Sequence, residues 1–198
     1  MAASFPPRHI NSGISLSPGS REPFYRYAKD ILESDQFAVC RDFIQHGTVS
    51  VYAHSVAVAS LSFSMACFLR DVPFGRPRIN LRSLVRAALL HDFFLYDWHT
   101  PERMWSLHGW THPVTAARNA EKMFGASQKE YSLIRTHMWP YTLLHPPRHL
   151  EGWLICLADK LCSAGETLFH RKKIRSGGRK TPAGPLPLDR AARKEKKR

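Results

Sequence analysis

Apolar positions recur at intervals of three and four along most of the chain, the period of amphipathic helices. Pro23, whose fixed φ suits a first turn, leads into Phe24, Tyr27, Ile31 and Leu32, and Ser34 and Asp35 then offer a new cap. Phe37, Cys40, Phe43 and Ile44 predict a second, short helix ending at Gly47. A third starts at a cap on Thr48 or Ser50 and buries Val51, His54, Val58, Leu61, Met65 and Phe68 along one face. After the Pro- and Gly-broken run from Val72 to Ile79, Asn80 caps a helix with Leu81, Leu84, Val85, Ala88 and Leu89 inward and His91-Asp92 at its end.

The period is lost from Phe93 to Thr111, a stretch dense in Trp98, His99, Trp105, His108 and Trp110. Its aromatic content argues for a loop lining a pocket rather than disorder. Thr111 then caps a helix carrying Val114, Ala117, Ala120, Met123 and Phe124 inward, closed by Gly125. Ser127-x-x-Glu130 reads as a capping box for a helix with Tyr131, Ile134 and His137, ended by Pro140. The last pattern places Leu150, Trp153, Leu154, Leu157, Ala158 and Leu161 on a core face, with Asp159 among them. No strand-like alternation, phosphate-binding Gly-rich loop or nucleophile elbow is present, so the fold class expected is all-α, a helical bundle.

Composition changes this picture in one respect. The net charge of +13 suggests a nucleic-acid binder, but from Arg171 onward 12 basic residues face only Asp189 and Glu195, while residues 1–170 carry 17 basic against 14 acidic side chains. The basicity therefore belongs to the end of the chain. The expected organisation is a flexible segment over 1–20, a helical domain over 21–170 and a basic, disordered tail over 171–198 able to contact nucleic acid. Cys40, Cys67, Cys156 and Cys162 form no C-x-x-C pair, which speaks against a zinc ribbon or disulfide framework and for a reducing, cytoplasmic setting. The start of the chain lacks an apolar stretch of signal-peptide or membrane-span length, and no span is expected.

Candidate chemistry lies in the inward positions. His54, His91, Asp92 and Asp159 fall on apolar faces, with His112 and His137 between them, and burying such groups without partners costs several kcal/mol each. Each has an ordinary explanation as a hydrogen-bonded core residue or as a neighbour of a cap, and the set as a whole has one as a metal site. Imidazole and carboxylate donors suit Fe, Mn, Co or Zn, and helical bundles build such sites from facing helices. His108, His145 and His149 fall in loops and read as surface or pocket-edge residues; the tryptophans either pack a core or stack on a base.

The order H…HD…D, carried by His54 in Tyr-Ala-His-Ser, His91-Asp92 after Ala-Ala-Leu-Leu and Asp159 in Leu-Ala-Asp-Lys, resembles the HD-domain metal-dependent phosphohydrolases over about residues 48 to 166. The resemblance implies a helical HD bundle with one or two divalent ions, His112 and His137 holding the second as in the family's two-metal branch. It also implies hydrolysis of a phosphate ester, such as that of a nucleotide or dinucleotide, by metal-activated water. Where many two-metal members continue with polar residues after the HD pair, this chain has Phe93-Phe94-Leu95-Tyr96-Asp97. Asp97, His99 and Lys160 are candidates for proton transfer or phosphate binding. Two other readings stay open: a non-catalytic nucleotide- or metal-binding protein with an RNA-binding tail, and a di-iron oxygenase of the same fold.

Overall fold

The computed structural model describes residues 16–72, 77–96 and 108–176. The all-helical expectation holds, with seven α-helices among the described residues. These are α1 (Pro18–Leu32), α2 (Asp35–Ala38), α3 (Val51–Asp71), α4 (Leu81–Leu90), α5 (His108–Phe124), α6 (Gln128–Thr136) and α7 (Leu150–Ser176). Asp97, His99, Trp98 and Trp105, and the chain beyond Ser176 with its expected nucleic-acid contact, lie outside the described residues. The last helix runs past His170, where the change in charge had suggested a boundary.

α3 is the central element. It packs against α4 on one side and α7 on another, while α4 also meets α1 and α6. In length and composition α3 would suffice to cross a membrane, yet most of it is buried inside the fold. Small residues make that burial possible: Ala57, Ala59, Ser60, Ser62 and Ala66 are covered as fully as Val58 and Phe63, so neighbours approach from several directions. The expected single stripe is therefore too narrow, and its outermost member, Phe68, is 70% exposed. Ser50 caps α3 through the Ala53 amide at 3.2 Å, Asn80 caps α4 through the Ser83 amide at 3.0 Å, and Ser127 with Glu130 forms the complete capping box of α6.

Several local expectations are corrected. α1 begins at Pro18, so Pro23 stands inside the helix, and the bond it cannot donate would have gone to the carbonyl of exposed Gly19. The second helix stops at Ala38 and passes through a 3-10 turn (Val39–Arg41) into a two-stranded antiparallel hairpin of β1 (Ile44–His46) and β2 (Val49–Ser50). Gly47, at φ +60°, makes the hairpin turn rather than a helix cap. α5 starts at His108, so Thr111 lies within it; Gly125, at φ +58°, closes it as expected.

The face of α7 differs most. Trp153, Leu157 and Leu161 are 40–52% exposed, whereas Leu154 and Ala158 are buried as expected, together with Glu151, Ile155, Cys156, Asp159 and Cys162.

Candidate metal centre

Five helices deliver six side chains to one buried point. His54 comes from the second turn of α3, Asp159 from the middle of α7, and His112 from α5. His91 and His137 each occupy the residue that ends a helix, α4 and α6 respectively, still in right-handed backbone geometry. Their rings are fixed locally. His91 Nδ1 lies 2.8 Å from the Ala88 carbonyl and His137 Nδ1 lies 2.7 Å from the Ile134 carbonyl, three residues back in each case. A carbonyl only accepts, so both rings carry their hydrogen on Nδ1 and turn the Nε2 lone pair inward.

Asp92 sits at the centre with its two oxygens facing opposite ways. Oδ2 is 3.3 Å from His91 Nε2 and 3.8 Å from His54 Nε2, and His54 Nε2 is in turn 3.2 Å from Asp159 Oδ1. Oδ1 is 3.3 Å from His112 Nε2 and 3.6 Å from His137 Nε2. The result is two half-sites sharing one carboxylate: His54, His91 and Asp159 on one side, His112 and His137 on the other. All six residues are buried.

Whether these donors fit an ion is decided by their unmet bonding. His91 Nε2 and Asp92 Oδ1 are completely buried and have no hydrogen-bond partner, a costly condition that a cation at this point removes. The Nε2 atoms of His112 and His137 lie 3.1 Å apart, converging as two ligands of one ion do. Four imidazole nitrogens and carboxylate oxygens suit Fe, Mn, Co or Zn better than Mg or Ca.

The electrostatics divide along the same line. Burial lowers the affinity of His54 for a proton, but hydrogen bonds to Asp159 and Glu166 outweigh it and raise its pKa from 6.5 to about 10. His91 is likewise depressed by burial and raised, on balance, by Asp92. Burial and the neighbouring His91 push His137 down to about 3. Burial acts to raise Asp92 and Asp159, yet the surrounding histidines (His91 and His112; His54, His91 and His137) hold both carboxyls below the usual range.

The metal-free centre therefore keeps a proton on His54 at pH 7. Since His54 binds its proton more tightly folded than at its ordinary 6.5, that contribution to stability is complete below pH 6.5 and disappears as pH rises through about 10. A divalent ion bound by His54 must displace that proton. Calorimetric titration with Mn(II) at pH 7, in buffers of different ionisation enthalpy, should show at least one proton released and an affinity that falls as pH is lowered. Uptake without proton release would contradict this ionisation.

The aromatic residues after the HD pair have a structural role. Phe93 is fully buried against Phe37 and Phe124, ring centroids 6.3 and 5.3 Å away, and its carbonyl accepts from Asn119 Nδ2 at 2.9 Å. Phe94 packs edge-on to His112 at 5.9 Å. These contacts dock α5 on the end of α4 and bring His112 within reach of Asp92. Leu95 follows at φ +58°, a left-handed conformation costing about 1–2 kcal/mol for a residue with a Cβ.

Of the proposed proton or phosphate groups, Asp97 and His99 lie outside the described residues, whereas Lys160 stands at the rim. Its Nζ is 3.3 Å from the His137 carbonyl and 3.9 Å from Asp159 Oδ2, with the side chain 43% exposed. His145 and His149 are exposed, as expected.

Two residues were not anticipated. Gln45, buried at an irregularity of the β1–β2 pairing, donates from Nε2 to Asp92 Oδ2 at 2.5 Å; bulges of this kind often re-aim a side chain beside a site. Nothing in a pattern read as helical pointed to it. Glu166 contacts His54 Nδ1 through both carboxylate oxygens at 3.1 Å. Its signal was available: it lies seven residues after Asp159, two helical turns along the same face.

Fold and site together define a helical domain whose buried His and Asp cluster could hold a divalent ion. Residues 51–164, more than half of the chain, match the HD domain family model, and the chain belongs to that family. No curated protein and no solved structure matches it.

Proposed function

We propose that the protein is a metal-dependent phosphohydrolase that cleaves the phosphate ester of a small molecule, with nucleotides as the leading substrate class. The observation that carries this reading is the shared Asp92, whose two oxygens face separate histidine sets. A pair of divalent ions held there by His54, His91, Asp159, His112 and His137 would supply Lewis acidity toward phosphoryl oxygens and a water acidified to near neutrality.

The chain's own residues suit the remaining tasks. Lys160, half-exposed beside Asp159, places an ammonium where an incoming phosphate's charge can be neutralised. Neutral His137 holds its hydrogen on Nδ1 against the Ile134 carbonyl and offers no proton from Nε2, so it serves as a ligand and not as the acid. Trp110, two residues before His112, and Tyr141, four after His137, are about half exposed with ring centroids 5.3 Å apart. They offer a stacking surface for a base on the His112 side.

The test is phosphate release from a panel of nucleotides and dinucleotides by full-length protein loaded in turn with Mn, Fe, Co and Zn. Turnover that chelation removes and metal restores is the expected result. Oxygen consumption without phosphate release would replace this reading with the oxygenase alternative.

A further inference from the structure

Asp92 follows the residue that ends α4, so no helix fixes the direction of its side chain. The torsion that turns a carboxylate is broad and roughly two-fold, and nothing intrinsic to aspartate keeps one oxygen toward His54 and His91 and the other toward His112 and His137. Among the described residues, one hydrogen-bond partner of this carboxylate is not itself a candidate ligand: Gln45, whose Nε2 donates to Oδ2 at 2.5 Å.

Gln45 is placed for this contact. Ile44 pairs with Ser50 and His46 with Val49, so two steps along β1 match one along β2 and Gln45 is the extra residue between them. Such a bulge re-aims its side chain, and β1 packs against α3 and α7, the helices that carry His54 and Asp159. The rest of the amide gains little from the fold. Gln45 is buried, and its Oε1 has no hydrogen-bond partner, a condition that costs stability. A side chain that meets Asp92 with its N–H while its carbonyl goes unmet serves the aspartate and not the hairpin.

We propose that Gln45 is a positioning residue that holds Asp92 in the bridging orientation, one oxygen for each half-site, and keeps the carboxylate from turning both oxygens onto a single ion. The proposal rests on the two-metal reading of the site. Gln45 touches neither ion nor substrate and acts through Asp92. Its hydrogen takes one lone pair of Oδ2 and leaves the other for an ion beside His54 and His91, while Oδ1 stays open toward His112 and His137. The amide is neutral, so it orients the carboxylate without offsetting the charge that attracts the ions.

The experiment is to give the full-length, metal-free protein two equivalents of Mn(II). Electron paramagnetic resonance reads the pairing of the ions, and competition with a chromophoric chelator reads the affinity of each step. Wild type should show the multiline spectrum of two exchange-coupled ions. Gln45→Leu, close in volume and without a donor, should bind the first ion nearly as wild type does, bind the second about 10- to 100-fold more weakly and lose the coupled spectrum. Gln45→Met should do the same. Val49→Ala loosens the hairpin but leaves the donor, and should keep the coupled spectrum. Thermal unfolding of the metal-free variants checks that each folds.

A coupled pair in Gln45→Leu at wild-type affinity, equal weakening of both steps, or the same loss in Val49→Ala would overturn the inference. Misfolding of both Gln45 variants would assign the residue to the fold and overturn it too. A wild type that binds one ion, or two uncoupled ones, would overturn the two-metal reading beneath it, and the inference with it.

Discussion

Asp92→Ala should strip the protein of bound divalent metal and slow phosphate release about 10³-fold, equivalent to about 4 kcal/mol of lost transition-state stabilisation. The size of the effect follows from position. Among the described residues, Asp92 is the one whose oxygens reach both histidine sets, at 3.3 Å from His91 on one side and 3.3 Å from His112 on the other. Its removal severs the half-sites from each other, whereas loss of His112 or His54 impairs one. Elemental analysis after dialysis and a phosphate-release assay measure the two consequences separately. A variant with full metal content and undiminished turnover would show that Asp92 does not bridge.

The second large effect is on stability. Arg86 is buried in the middle of α4, where its guanidinium pairs with Asp30 of α1, donates to the Phe124 carbonyl at 2.9 Å and approaches Glu130 Oε1 at 3.3 Å. Glu130 is itself buried and closes the capping box of α6 through the Ser127 amide. Arg86→Ala leaves that carboxylate without its closest cation, and breaking such a buried pair costs about 3–5 kcal/mol. A fall in melting temperature of about 10 °C is expected for a chain of this size. Arg82 approaches the same Glu130 oxygen at 3.7 Å from a largely exposed position, so Arg82→Ala should shift the melting temperature little. Equal losses from the two would remove burial as the cause.

The buried His and Asp cluster was legible in the sequence because each member combines a side chain unsuited to burial with an inward helical position. His54 between Val51 and Val58, and Asp159 beside Ala158, need only the 3.6-residue period to be seen facing the core. The capping residues Ser50, Asn80 and Ser127 were legible for a related reason, since their bonds span three residues. What escaped depends on tertiary contact. Large apolar residues on α7 suggested its inner face, and Leu154 is buried as they imply, yet Leu157 and Leu161 are half exposed while Ile155, Asp159 and Cys162 are covered. Ile44 to Ser50 has too few residues for strand alternation to stand out, so the hairpin and the bulge that aims Gln45 at Asp92 left no readable pattern. Phe93 and Phe94, which seemed a departure from metal-site chemistry, proved to be the packing that holds His112 in place.

His91 and His137 terminate α4 and α6, so both helices aim the negative ends of their peptide dipoles at the same point. Each such end acts as about half an elementary charge, added here to two carboxylates. Together with Asp92 and Asp159 they favour a cation at this point. On the phosphohydrolase reading proposed above, bound ions would reverse the sign of the field that an anionic ester meets, so they would have to be loaded before it.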